Sequence, residues 1–435
     1  MSDIDRFSLT DAQIALLVTA IAENREYLVA QRRRFHAVPE LGWREFETTK
    51  AIVKQLTDLG YQVTSGPCFL KDAYRLGLSD QPVANEGDTG CIAVLETGRL
   101  GPTVCLRVDI DALPILEAEE NHRPADEGWI SSEKGIMHAC GHDGHAAIGL
   151  GVARALAPLR STFCGRLLLL FQPAEEGGRG ARAVIEAGRM TDVDLLLTVH
   201  IGLGLPSDTI ALGVSGFLAT RKYRVSLKGR PAHAGKAPET GNNALLAGCQ
   251  LALALQGFAQ SSDAGTRVNV GTFQGGTSLN IVPDRAVLGF EIRASTTPQL
   301  EDLDRHCRIA VEHISAAYGV ASQIELRGEA TDWKNDTDII NWAAQANTAT
   351  GAFSAAVQSF DFGASEDATL LARTVAGAGG RAAIFVVGAD LASGHHTQHF
   401  DFDEEVLPRS VLLLASLIAD ALLTPVEAQA KDNAR

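Results

Sequence analysis

Two hydrophobic rhythms run along this chain. Over residues 9–59 apolar positions recur every three to four residues, which predicts two amphipathic helices broken at Val38-Pro39. Short unbroken apolar runs follow at 91–95, 103–108, 165–172 and 194–200, as expected of strands buried on both faces. Helical periodicity separates them at 144–159 and 180–187. Strands alternating with helices predict a mostly parallel sheet covered on both sides. In such sheets ligands bind in the loops beyond the strand C-termini. The polar clusters fall there: Asp109 and Asp111, the pair Glu175-Glu176, and His200 each close an apolar run.

The rhythm changes near residue 217. Residues 222–228 alternate as a half-buried strand, 243–258 read as a helix, and 267–273 and 286–292 as two more strands. A helix over 298–318 and a strand over 323–327 complete a β-α-β-β-α-β series, the ferredoxin-like split motif. Alternating α/β patterning then resumes with a buried strand at 382–387 and a closing helix at 405–422. The expected organisation is an α/β catalytic domain formed by 1–216 and 331–435, with a small α+β domain, 217–330, inserted into it. A chain of 435 residues is long enough for two cores. The last residues, from 427, read as frayed.

Composition narrows the partners. The formal net charge of −15 disfavours nucleic acid and anionic membranes, both of which reward basic patches. No signal-peptide layout opens the sequence, and no membrane-length apolar run stands out. Seven scattered cysteines without a C-x-x-C fit a reducing compartment, so a cytoplasmic location is expected. Most of these cysteines lie in apolar runs as small buried hydrophobes, but Cys140 is surrounded by His, Gly and Asp.

The segment His138-Ala139-Cys140-Gly141-His142-Asp143-Gly144-His145 is the densest in candidate ligands. A metal site needs imidazole, thiolate and carboxylate groups gathered by the fold, and a thiol bound to a metal is deprotonated outright. A lone C-x-H is weak evidence; five such groups in eight residues are not. An isolated Glu-Glu is usually a solvated acidic turn, but Glu175-Glu176 sits at a strand end and is followed by Gly177-Gly178. His395-His396-Thr397-Gln398-His399 adds imidazole from late in the chain. No H-E-x-x-H, G-x-S-x-G or Walker motif competes, and the glycines at Gly149-Leu150-Gly151 read as helix-packing contacts.

Five segments together resemble the aminoacylase/carboxypeptidase-type dinuclear metallopeptidases: 107–114, 137–145, 171–177, 232–235 and 395–403, in order, with the likeness running from about Arg32 to Leu407. The resemblance implies a phosphorylase/hydrolase-like catalytic domain with a ferredoxin-like dimerisation (lid) domain. It implies two divalent ions, Mn or Zn, held by Cys140, His142, Glu176, His200 and His396. Glu175 would be the general base and Asp111 would orient a ligand from behind. Asp109 stays ambiguous, and His138 and His145 fall to supporting roles. His233, in Gly229-Arg230-Pro231-Ala232-His233-Ala234-Gly235, resembles a histidine that reaches into the site of a partner protomer. Asn280 and Arg293 resemble positions that hold a substrate carboxylate, although a strand-end salt bridge is nearly as good a reading of Arg293.

The implied reaction is hydrolysis of a small N-acyl amino acid by metal-activated water. Aminobenzoyl-glutamate leads, and indoleacetyl-amino acids and simple acyl groups stay open. Two assemblies are compatible, a homodimer and a heterodimer with a paralogous chain. A catalytically inert partner of such a hydrolase would carry a broken base or ligand, and a zinc oxidoreductase would carry a dinucleotide fingerprint. Neither sign is present.

Overall fold

The computed structural model describes residues 6–79, 83–258 and 265–423. The expected fraying from 427 and the chain start, residues 1–5, lie outside the described residues. At the centre of the large domain four strands run parallel, in the order Arg166–Gln172, Thr103–Asp109, Leu195–Ile201, Arg381–Val387. Their neighbours on either side, Cys91–Glu96 and Thr209–Ala211, pair antiparallel with them, and the edge strand Ala355–Val357 runs parallel to Thr209–Ala211, so the eight-stranded sheet is mixed around a parallel centre. The unbroken apolar runs follow from burial on both faces. Val104, Leu106 and Val108 pack into one core with Leu167, Leu169 and Phe171. Cys105 joins Leu168, Leu170 and Leu196 in another.

Helix His142–Leu156 is buried along nearly its whole length. Its glycines allow the close approach that the sequence suggested: a β-carbon at Gly149 would lie 2.9 Å from the Phe171 ring and from Val108. The stretch 9–59 forms three helices rather than two: Asp11–Ala22, Arg25–Ala37 and Phe46–Asp58. The apolar rhythm continues across the unexpected break, where the Asn24 side-chain amide donates to the Ala20 carbonyl and ends the first helix. Val406–Leu423 is, against the sequence expectation, long and apolar enough to cross a membrane by composition. It is 78% buried within the fold and packs on His142–Leu156, as a core helix does.

The small domain is a four-stranded antiparallel sheet in the order Ala321–Ala330, Ala219–Lys228, Arg285–Ala294, Arg267–Gly275. Helices Ala244–Gln256 and Thr297–Ala317 cover one face, where Tyr223, Val225 and Leu227 meet Leu288, Phe290 and Ile292 in a separate core. The alternate positions of the same strands put Lys222, Arg224, Glu291 and Arg293 on the opposite face. This ferredoxin-like lid is tied to the large domain beside the acidic loop. Glu329 N–H donates to the Gly178 carbonyl at 2.8 Å, and Arg182 Nη1 lies 3.1 Å from Glu329.

Candidate metal centre

The loops after the four parallel strands converge. The Thr103–Asp109 strand delivers Asp109 and Asp111, Arg166–Gln172 leads to Glu175-Glu176, Leu195–Ile201 carries His200, and Arg381–Val387 leads into the His395-His396 loop. Gly141, at φ 94°, turns the chain into helix His142–Leu156 and sets Cys140 and His142 at its mouth. Candidate ligand atoms fall into overlapping groups, each within 4.8 Å: Cys140, His142 and His200; Cys140, Glu176 and His396; His142, Glu175 and Glu176.

The donor chemistry fits a pair of cations. His200 Nδ1 donates to the Ile201 carbonyl at 3.0 Å, which leaves the Nε2 lone pair facing Cys140 Sγ at 3.8 Å. His142 Nδ1 donates to the Asp111 carbonyl at 2.9 Å, and its Nε2 is buried with no hydrogen-bond partner. Glu176 Oε1 is likewise buried without a hydrogen-bond partner, 3.3 Å from His396 Nε2. Buried groups of this kind normally find a partner, and a carboxylate beside lone-pair donors asks for a positive one. Burial holds His200 neutral, well below its usual range, as a ligand imidazole must be. Burial also pushes the Cys140 thiol up to about 12, so a thiolate here requires an adjacent cation.

Asp111 supports three of these groups. Its two carboxylate oxygens accept the N–H groups of Glu175 and Glu176, each at 3.0 Å, and its carbonyl fixes His142. Glu175 is buried, and burial, then repulsion from Glu366, Glu176 and Asp367, raises its pKa well above the usual carboxylate range. Ala174 before it stands at φ 52°, in the left-handed region, held by its N–H to Glu45 at 2.8 Å. His396 is also left-handed, at φ 61°, with its N–H on the Ala139 carbonyl at 2.8 Å. That turn sends His396 toward Cys140 and Glu176, whereas His395 Nε2 accepts from Leu203 N–H at 3.1 Å.

His145 is fully used elsewhere. Its Nε2 accepts the Ile201 N–H at 2.9 Å, which fixes the proton on Nδ1, 2.6 Å from Asp109 Oδ1. Asp109 is held by His145 and by Arg107 at 2.7 Å, with His142 Nε2 3.7 Å away. His138 is buried with neither ring nitrogen hydrogen bonded, and burial lowers its pKa to about 4.

The three lid residues are not gathered into the cluster. His233 and Asn280 are exposed neighbours, joined by the Ala234 N–H to Asn280 carbonyl bond at 3.0 Å and a bridge between His233 and Ile281. Arg293 Nη2 pairs with Glu291 at 3.0 Å, two residues away on the same sheet face. Three groups beneath Glu175 carried no sequence signal that drew attention: Arg107, Glu366 and Asp367. Arg107 joins Asp109, Glu366 and Asp367 at 2.7 to 3.1 Å, and Asp367 accepts the N–H groups of Gly180 and Ala181. An acidic pair just before the apolar helix Ala368–Gly377 was the available hint.

An α/β domain with a ferredoxin-like lid and a cluster of metal-capable donors at its parallel strand ends has the layout of a metal-dependent hydrolase. The profile of peptidase family M20/M25/M40 matches residues 105–420, and the chain belongs to that family. It is 39% identical over 406 residues to one of the subunits of p-aminobenzoyl-glutamate hydrolase from Escherichia coli (strain K12), covering 88% of this chain and 93% of the relative. It is 40% identical over 410 residues to indole-3-acetyl-aspartic acid hydrolase of Enterobacter agglomerans, with the same coverage. The crystal structure of an aminobenzoyl-glutamate utilization protein from Klebsiella pneumoniae superposes with a TM-score of 0.79 at 33% identity, covering 93% of this chain and 98% of that one. A Bacillus subtilis structure described as a dinuclear metal binding peptidase of the same family matches with a TM-score of 0.67 at 27% identity, covering 93% and 100%. The chain is thus a metallo-amidohydrolase of a dinuclear family.

Proposed function

We propose that the enzyme hydrolyses p-aminobenzoyl-glutamate to p-aminobenzoate and glutamate, with Cys140, His142, Glu176, His200 and His396 as ligands to two Mn or Zn ions. The observation that carries the site assignment is the convergence of these five side chains, with His142 Nε2 and Glu176 Oε1 buried and unpartnered, beside Glu175. When bound, a pair of such ions lowers the pKa of a shared water and polarises the substrate carbonyl. Glu175 takes the water proton on its carboxylate and passes it to the departing amine nitrogen. Asp111 holds the Glu175 and Glu176 amides and so fixes the loop that presents both carboxylates beside His142, Glu175 for the reaction and Glu176 for the ions.

His233 stabilises the oxyanion from a second copy or from a related chain, and Asn280 and Arg293 receive the amino-acid carboxylate. What supports this is the exposure of His233 and Asn280 away from their own chain's cluster. The domains divide at 216/217 and 330/331, and the seven free cysteines fit a cytoplasmic setting. A second reading, indoleacetyl-aspartate as substrate, is favoured by the relative that bears that activity in its name. A hydrolysis screen of N-acyl glutamates and aspartates with Mn²⁺ or Zn²⁺ added to metal-free protein decides between them. Turnover fastest on p-aminobenzoyl-glutamate is expected; no turnover of any substrate with either metal would overturn the proposal. Mixing His233→Ala with Glu175→Gln protein should restore activity if His233 acts in trans.

A further inference from the structure

A cavity of about 480 Å³ opens beside Glu176, and its charged lining is Arg44, Glu86, Glu176 and Arg179. Glu86 is paired with Arg44 at 3.0 Å, and Glu176 is a proposed metal ligand. Arg179 is fixed in place, yet its charged end is not engaged. Its Nε donates to the Glu176 carbonyl at 2.7 Å, while neither terminal nitrogen donates to an acceptor among the described residues. Asp111 Oδ2 lies 4.0 Å from Nη2 and accepts the Glu176 N–H instead. The side chain is only 23% exposed. Two glycines make room for it: a β-carbon at Gly42 would collide with Nη2, and one at Gly77 would lie 2.6 Å from Cδ. A guanidinium held through Nε keeps its two terminal N–H₂ groups for an anionic acceptor.

The lid brings a second cation to the same loop. Lys222 stands opposite Gly328 in the lid sheet, and Gly328 packs so closely that a β-carbon there would collide with the Gly177 carbonyl. Lys222 Nζ and Arg179 Nε lie 3.7 and 3.6 Å from the point a Gly177 β-carbon would occupy. One carboxylate can span nitrogens placed so. Lys222 makes no hydrogen bond or ion pair among the described residues. Two cations beside one glycine repel each other, and an anion between them turns that repulsion into attraction.

An N-acyl glutamate or aspartate carries two carboxylates. The α-carboxylate is assigned above to Asn280 and Arg293, which leaves the one on the side chain. We propose that Arg179 and Lys222 bind the side-chain carboxylate of the substrate's amino acid and so select acidic amino acids over their neutral amides. This deepens the proposed hydrolase reading and rests on it, since the loop that carries Arg179 also carries Glu175 and Glu176.

The test compares 4-aminobenzoyl-glutamate with 4-aminobenzoyl-glutamine, which differs only in that carboxylate, on metal-loaded wild-type protein, Lys222→Met and Arg179→Gln. Wild type should favour the glutamate substrate by about ten- to hundredfold in kcat/KM, the size of a hydrogen bond between charged groups. Lys222→Met should cut that preference about fivefold or more, through a higher KM for the glutamate substrate, and Arg179→Gln should bring it close to one. An unchanged preference in either variant, or an equal loss on both substrates, overturns the subsite. Should Arg179→Gln disturb Glu176 and lose metal, Lys222→Met, which breaks no contact, decides alone. Calorimetry with free glutamate and glutamine gives a readout that needs no turnover. Glutamate should bind wild type about tenfold or more tightly than glutamine, and Lys222→Met should weaken glutamate only; equal binding of the two amino acids sinks the subsite. Failure to hydrolyse any N-acyl amino acid, with that glutamate selectivity intact, would count against the hydrolase reading alone.

Discussion

His142 and Asp143 are neighbours in sequence, yet they belong to two buried polar clusters of opposite character. Asp143 lies in a closed ionic network. Arg32 reaches Asp143 at 3.0 Å, Asp401 at 2.7 Å and Glu404 at 3.1 Å, and its guanidinium lies over the Phe402 and Trp129 rings. His36 donates from both ring nitrogens, to Asp143 at 2.9 Å and to Glu117 at 2.8 Å, which requires the imidazolium form. None of these side chains has a buried polar atom without a partner among the described residues. In the neighbouring cluster, His142 Nε2 and Glu176 Oε1 have none. A network that satisfies itself fastens helix Arg25–Ala37 to the loop 401–404; one that leaves lone pairs facing each other is built for something added later. Proximity of donors alone does not separate them, since His36, Glu117 and His122 also lie within 4.8 Å of one another.

The sharpest way to break that contrast is to mutate one member of each cluster. Glu175→Gln should lower kcat by about 10²- to 10⁴-fold while leaving metal content intact. A variant that stays active would remove Glu175 as the base. Arg32→Met, in the closed network, should cost about 3–5 kcal/mol in chemical denaturation, because it removes the one fully buried cation shared by Asp143, Asp401 and Glu404. Metal stoichiometry of its folded fraction should be unchanged; loss of metal without loss of stability would merge the two clusters.

The pH dependence of stability separates them more gently. Asp143, Asp401, Glu404 and Glu117 titrate below their usual range, held down by Arg32, Arg33, Arg123 and His36. Their contribution is present above the unfolded carboxylate range near pH 4 and is lost as pH falls through the lower folded values. Carboxylate partners raise His36 against its burial, so its contribution is full below about pH 6.5 and fades as pH rises through the folded value. Thermal melts should therefore weaken on both sides, and His36→Gln should remove the fading on the alkaline side. An alkaline limb unchanged in that variant would deny the imidazolium. The smallest effect belongs to a pair that water already serves: Lys54–Asp58, with side chains 75% and 62% exposed, should contribute no more than about 0.5 kcal/mol on Lys54→Ala.

Much of the architecture was legible because burial leaves a rhythm. The four central strands and the inserted motif follow from unbroken and alternating apolar runs. Strands of two or three residues, such as Thr209–Ala211 and Phe360–Asp361, are too short to carry one. The helix break at Asn24 was hidden because the apolar spacing runs on across it. Within the site, Cys140 and His142 were visible through local density, and Glu175-Glu176 through its place at a strand end. Arg107 was not, because inside an apolar strand its meaning depends on Glu366 and Asp367, some 260 positions away in sequence. Arg179 was equally silent: only the fold shows that two glycines leave room for it beside Glu176.

The most direct measurement is the metal content of Cys140→Ala beside wild type and Arg32→Met, after loading with Mn²⁺ or Zn²⁺ and removal of excess metal. Two ions per chain are expected in wild type and in folded Arg32→Met, and a clear loss in Cys140→Ala. Full occupancy in Cys140→Ala, or no bound metal in wild type, would contradict the assignment of the unsatisfied cluster as the metal centre.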